Sequence, residues 1–290
     1  MFRGCMSAIV TPFREGVLDR AAFAKLAEFQ LANGVSAIVP CGSTGESATL
    51  THDEHIEVIR LAVQICAGRV PVIAGTGSNA TREAIALTQA AKDAGASAAL
   101  LISPYYNKPT QEGIYQHYKA IAEQVRLPLI VYNIPGRTGS RIEPSTIARL
   151  AELDHVVGLK EATGSLDDVQ EVLRLCGDRL EVYAGDDALT LPIMAVGGVG
   201  VISVIANIVP RPFSDMVDAC LRDDWTAARR LHYRLLPLMR AMFQEVNPIG
   251  IKAALAMTGH CRDELRLPLL PMTAGPRERL QAALRDLGLL

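Results

Sequence analysis

Eight short apolar runs recur through the first three-quarters of the chain, and their spacing constrains the fold more than any other feature. They cover residues 6–10, 37–40, 70–74, 98–102, 129–132, 156–159, 181–184 and 200–204, roughly 25 to 35 residues apart except for the last two, whose starts are 19 apart. The stretches between them carry helical signals. The segment 19–32 opens on the capping residue Asp19. Thr51 with Glu54 forms a capping box, and the segment 79–94 stops at Gly95. Apolar strands alternating with helices form a parallel sheet covered on its outer face, and eight such units close into an α/β (β/α)8 TIM barrel. A doubly wound open sheet is the competing arrangement, but no Gly-x-Gly-x-x-Gly opens the first helix.

Beyond residue 222 the strand signal stops. The segments 224–244, 248–257 and 276–287 read as helices. The expected organisation is a barrel domain over 1–222 and a C-terminal all-helical extension over 223–290, with no flexible linker between them.

Composition fits this architecture. Of 290 residues, 49% are apolar but only 5% aromatic, so the core must be built from Ala, Val, Leu and Ile. A net charge of −2 without a basic run argues against nucleic acid as a partner. No apolar run reaches the ~18 residues of a membrane span, and residues 1–5 lack the pattern of a signal peptide. The six cysteines are scattered without a Cys-x-x-Cys pair, which reads as reduced, inert thiols. The expectation is a soluble cytoplasmic protein.

Barrel chemistry sits where strands end at their C-terminal side. Those positions hold Gly42-Ser43-Thr44-Gly45-Glu46-Ser47, then Tyr105 and Tyr106, then Tyr132 and the Gly136-Arg137-Thr138-Gly139 loop, then Lys160, and finally Asp186-Asp187. Lys160 directly follows an apolar run. A lysine in a dry site favours its neutral amine, which can attack a carbonyl and form an imine. The bland reading is a strand-end lysine paired with Glu161 or left in water. Ser43 and Thr44 between glycines offer hydroxyls and N–H groups to a carboxylate or phosphate, or simply make a turn. Tyrosines carry protons or pack. Arg137 suits a carboxylate bidentately or sits in solvent. His52 and His55 lack the His-Glu-x-x-His zinc spacing, and Asp186-Asp187 alone are weak ligands for Mg²⁺, so no metal is expected.

Taken in order, these motifs resemble the dihydrodipicolinate synthase/N-acetylneuraminate lyase family of class I aldolases. The resemblance runs from Ala8-Ile9-Val10-Thr11-Pro12-Phe13 to Leu265-Arg266-Leu267-Pro268. It is carried by Gly42-Ser43-Thr44-Gly45-Glu46, Tyr132-Asn133-Ile134-Pro135 and Gly158-Leu159-Lys160-Glu161. It implies a barrel with a C-terminal helical domain, a homotetramer built as a dimer of dimers, and no metal or organic cofactor. Lys160 would form the imine with pyruvate. Tyr132, Ser43 and Tyr106 would relay protons, with Tyr106 reaching in from a neighbouring subunit. Thr44 would bind the pyruvate carboxylate, and the Ile202 backbone would line the pocket. The first relay hydroxyl is usually threonine in the family; Ser43 keeps the hydroxyl with a freer rotamer.

The Pro135-Gly136-Arg137-Thr138-Gly139 loop is similar to the synthase branch rather than the lyases, as are Tyr105-Tyr106-Asn107 and Asn247-Pro248. On that branch Arg137 would hold the carboxylate of L-aspartate 4-semialdehyde, which condenses with pyruvate to 4-hydroxy-tetrahydrodipicolinate on the way to diaminopimelate and lysine. The resemblance also implies a feedback site for L-lysine at Ser47, Ala48, His52, His55, Asn79, Glu83 and Tyr105. The rival readings are a neuraminate or 2-oxo-sugar-acid lyase of the same family, and a silent barrel that senses a 2-oxo acid.

Overall fold

The computed structural model describes residues 2–290. Eight parallel strands form one sheet: β1 (Gly4–Ser7), β2 (Ala37–Ile38), β3 (Ile73–Gly75), β4 (Ala98–Ile102), β5 (Leu129–Asn133), β6 (Val156–Glu161), β7 (Glu181–Ala184) and β8 (Gly200–Ser203). Their order is β2-β1-β8-β7-β6-β5-β4-β3, and a parallel bridge between Ile38 and Val72 joins the two ends. The expected (β/α)8 barrel is therefore the observed fold, with every predicted strand in place.

The bounds moved at six strands, by one residue at β5 and β8, by two at the end of β6, which thereby takes in Lys160, and for local reasons at the first three. At residues 8–10 the chain leaves the regular ladder of β1, although Ala8 N–H still reaches Ser203 O at 2.9 Å. The strand β2 has only two ladder residues, yet Val39 N–H donates to Ser7 O at 2.7 Å. Pro71 has no N–H to give, so β3 begins two residues beyond it.

Helices α1 (Arg20–Ala32), α2 (His52–Cys66), α3 (Thr81–Asp93) and α4 (Gln111–Gln124) follow the first four strands. Asp19 caps α1 through Ala22 N–H, and Thr51 and Glu54 make the full capping box of α2. Each such cap contributes about 1 kcal/mol. The shorter α5 (Pro144–Leu150), then α6 (Leu166–Cys176), α7 (Thr190–Ala195) and α8 (Pro210–Leu221) complete the outer ring. A small hairpin pairs Phe13 with Leu18 and Arg14 with Val17. Its turn residues Glu15 and Gly16 both have positive φ, as a two-residue hairpin turn requires.

Strand alternation sorts side chains into two cores. Met6, Val39, Ile73, Leu100, Ile130, Tyr183 and Ile202 fill the barrel interior. The opposite faces pack against the helices, together with the C-terminal helices α9 (Trp225–Met242), α10 (Ile249–Met257) and α11 (Ala274–Asp286). Five of the six cysteines are buried, and all six are free. No helix among the described residues is long and apolar enough to cross a membrane.

Candidate active site

Lys160 and Tyr132 stand opposite one another in the ladder of β5 and β6. Both point into the barrel, as Ile130 does on the same strand face, while their neighbours Asn133 and Glu161 pair outside it. There Asn133 Nδ2 donates to Glu161 Oε2 at 3.1 Å. Glu161 also accepts from Thr163 N–H at 2.6 Å. Glu161 is thus turned away from Lys160, which lies within β6 and is buried, not solvated at its end.

The Lys160 Nζ sits 4.3 Å from the centroid of the Tyr132 ring. Burial drives its pKa down to about 8, the nearby charge of Asp187 pulls it back up, and Arg137 lowers it again. Burial likewise pushes the Tyr132 phenol up, so it is a proton donor rather than a phenolate at neutral pH.

Asp187 is the residue of this group that local spacing did not single out as a neighbour of Lys160. It follows β7 and accepts from Val204 N–H at 3.1 Å and Ile205 N–H at 2.9 Å, tying the ends of β7 and β8 together. Burial raises its carboxyl to about 6 despite those bonds. The Asp186–Asp187 pair is therefore a structural joint: Asp186 caps the following turn through Ala188 N–H at 2.8 Å. Among the described residues no group of three His, Cys, Asp or Glu is placed to hold a metal.

The turn after β2 closes through Gly45 N–H to Gly42 O at 3.0 Å and Glu46 N–H to Ser43 O at 3.2 Å. Thr44 is buried, and its Oγ1 accepts from Asn247 Nδ2 at 2.9 Å. The Asn247 carbonyl in turn accepts from Arg137 Nη2 at 2.8 Å. Arg137 rides on a one-turn helix, Pro135–Thr138, directly after β5. Asn247 thus links a hydroxyl and a guanidinium from two different strand ends. The sequence marked Asn247 only as part of a motif; a contact 203 residues away from Thr44 leaves no local signal.

A small chamber is lined by Ser43, Thr44, Tyr132, Arg137, Lys160 and Asn247 together with Ala8, Gly185, Val204 and Phe243. Ile202 lies below it in the closed inner layer, and Val204 two residues on reaches the wall. Tyr106 is not there. It is 88% exposed, in a left-handed conformation with φ 71°, and its N–H donates to Thr138 O at 3.3 Å.

A larger cavity of about 440 Å³ shares Ser43, Tyr132, Arg137 and Asn247 with the chamber. Its far end is formed by Ser47, Ala48, His52, His55, Glu83 and Tyr105. At its wall Gly75 packs directly on the turn after β2, where a Cβ would lie 2.2 Å from Cys41 O, so only glycine permits this close backbone approach. His55 Nε2 lies 2.7 Å from Gly75 O; a carbonyl only accepts, so this nitrogen carries the proton. His52 Nε2 pairs with Glu83 Oε1 at 2.7 Å, and Ser78 Oγ donates to the other Glu83 oxygen. Those two partners hold the Glu83 carboxyl below the usual range. The two histidines therefore serve different partners rather than one ion. Asn79 stands outside the lining, with its carbonyl accepting from Asn107 Nδ2 at 2.9 Å.

A (β/α)8 barrel with hydroxyls, phenols, an amine and a guanidinium gathered at the C-terminal strand ends defines a barrel enzyme. The chain belongs to the dihydrodipicolinate synthetase family, whose model it matches over residues 1–287. It is 56% identical over 291 residues to a 4-hydroxy-tetrahydrodipicolinate synthase of Syntrophobacter fumaroxidans, covering all of both chains. Among solved structures it is similar to the chloride-inhibited dihydrodipicolinate synthase of Acinetobacter baumannii complexed with pyruvate. That match has 45% identity, a TM-score of 0.98 and full coverage of both chains. It is similar also to the enzyme of Cyanidioschyzon merolae with lysine bound, at 41% identity and TM-score 0.97 over 100% of this chain and 99% of that one.

Proposed function

We propose that this enzyme condenses pyruvate with L-aspartate 4-semialdehyde to 4-hydroxy-tetrahydrodipicolinate. The observation that carries the reading is the buried Lys160 amine held over Tyr132 in a chamber that also faces Arg137. The neutral Nζ attacks the pyruvate keto carbon, and the carbinolamine loses water to give a protonated imine. The imine takes up the electron pair when a proton leaves the methyl carbon, forming an enamine. That carbon then attacks the aldehyde. The semialdehyde amine displaces Lys160 by transimination and closes the ring, with one water released overall. Tyr132, Ser43 and a partner subunit's Tyr106 relay the protons. Thr44 holds the pyruvate carboxylate, against backbone contributed near Ile202, and Arg137 holds the carboxylate of the semialdehyde.

Several further features belong to the same reading. The exposed Tyr106 fits an assembly in which it enters a neighbouring site, and a homotetramer built as a dimer of dimers supplies that neighbour. The cavity end at Ser47, His52, His55 and Glu83, with Ala48, Tyr105 and the nearby Asn79, takes L-lysine as an inhibitor. Residues 1–222 form the catalytic barrel and 223–290 a helical domain, and the enzyme works in the cytoplasm without metal or organic cofactor.

The decisive assay supplies purified protein with pyruvate and L-aspartate 4-semialdehyde and follows product formation. The expected result is consumption of both substrates in equal amounts. Turnover of N-acetylneuraminate or a 2-oxo sugar acid in place of the semialdehyde would contradict the assignment.

A further inference from the structure

The turn that presents Ser43 and Thr44 does not stand by itself. Its last member, Glu46, is a buried non-glycine residue with φ 54°, a conformation that L residues avoid without outside support. The support comes from the C-terminal helical segment. Glu46 Oε1 pairs with Lys252 Nζ, and Glu46 Oε2 accepts from Arg266 N–H at 3.1 Å. Lys252 is wholly buried, donates to Glu264 O at 2.8 Å, and lies 4.2 Å from the centroid of the Phe13 ring. Arg266 lies 4.3 Å from the same ring and donates to Thr49 O at 2.9 Å. Five residues before Lys252, Asn247 donates to Thr44. One short stretch of the tail therefore grips both Thr44 and Glu46. Lys252 does not line the chamber, so no bond or proton in the reaction passes through it.

We propose that Glu46 and Lys252 are positioning residues: their buried pair fixes the turn so that Ser43 and Thr44 meet the 2-oxo acid in one geometry. The inference rests on the assignment of pyruvate binding to that turn. Its signature is a change in pyruvate KM that is separable from stability. A buried ion pair that loses one partner leaves an uncompensated charge, so single neutral variants are destabilised. The double variant Glu46→Gln with Lys252→Met removes both charges at similar volume and keeps the fold.

The experiment compares thermal midpoint, pyruvate KM and kcat for wild type and the double variant. The expected result is a midpoint near wild type, a pyruvate KM raised about tenfold, the scale of one lost charge-assisted contact at Thr44, and a lowered kcat as Ser43 loses its place in the relay. A double variant that melts and binds pyruvate like wild type would show the pair to be structural only and overturn the proposal. Lys252→Arg covers the case in which the double variant does not fold. It keeps the charge but moves its centre, so a raised pyruvate KM at unchanged midpoint supports positioning, and an unchanged KM overturns it. Borohydride trapping of pyruvate on wild-type Lys160 separates the two levels. No wild-type adduct sinks the functional reading itself, whereas a wild-type adduct with unaltered variant KM sinks this proposal alone.

Discussion

Lys160 and Tyr132 are cross-strand partners, and the amine of one lies 4.3 Å from the ring centroid of the other. The aromatic face favours an ammonium, whereas burial favours the free amine. Burial prevails, and the amine titrates near 8 rather than at 10.5. A nucleophile in this position is partly neutral at the pH of a cell.

That titration sets a pH profile. The kcat/KM for pyruvate is expected to rise with pH and level off above an apparent pKa near 8, as the attacking amine loses its proton. The same shift acts on stability. Between about 8 and 10.5 the unfolded chain binds the Lys160 proton and the folded chain does not, so this contribution to stability grows as pH rises. It is lost as pH falls through the folded value. Lys160→Met should therefore unfold at a higher denaturant concentration than wild type at pH 7. The gap, on the order of a few kcal/mol, should narrow by pH 10. A gap that is constant with pH would show that Lys160 titrates normally.

Arg137 is anchored through Asn247 to the same point as Thr44. Arg137→Ala should raise the KM for the semialdehyde by roughly 10²-fold, the loss of a bidentate carboxylate contact, while pyruvate still adds to Lys160. Steady-state kinetics with each substrate varied in turn reads the split. Equal damage to both substrates would assign Arg137 to general support of the chamber.

Tyr106 faces solvent within a single chain. If it acts in a neighbouring site, Tyr106→Phe should lower kcat by about 10²-fold, within the range of general acid–base groups. Activity of the wild type should also fall on dilution in step with dissociation measured by sedimentation. Full activity in a dilute monomer would remove Tyr106 from the relay.

Glu83 holds its charge between Ser78 and His52 at the end of a cavity that reaches Ser43. Millimolar L-lysine should inhibit at sub-saturating pyruvate, and Glu83→Ala should abolish the inhibition while the uninhibited rate changes little. A rate indifferent to L-lysine would leave this cavity end without the assigned ligand.

Much of this architecture was legible in the sequence. All eight strands were visible because each is an apolar run buried on both faces, and the caps at Asp19 and Thr51 are local signals. The rim residues followed from strand ends, where Ser43, Thr44, Tyr132, Arg137 and Lys160 converge as expected. The hairpin at Phe13–Arg14 and Val17–Leu18 escaped because two-residue strands give no periodicity. The bonds of Asp187 to Val204 and Ile205, of Asn247 to Thr44 and of Lys252 to Glu46 escaped for another reason. They join residues far apart in the chain, and no spacing rule reports them. The pairing of Lys160 with Glu161, one of the open readings, fails on strand geometry, because adjacent residues face opposite sides.

Reductive trapping tests the central claim most directly. Purified protein is incubated with pyruvate, reduced with borohydride, digested and analysed by mass spectrometry. The account predicts an N-(1-carboxyethyl) adduct on Lys160, absent from Lys160→Ala, whose activity should fall by at least about 10³-fold. An unmodified Lys160, or an adduct on another lysine, would contradict it.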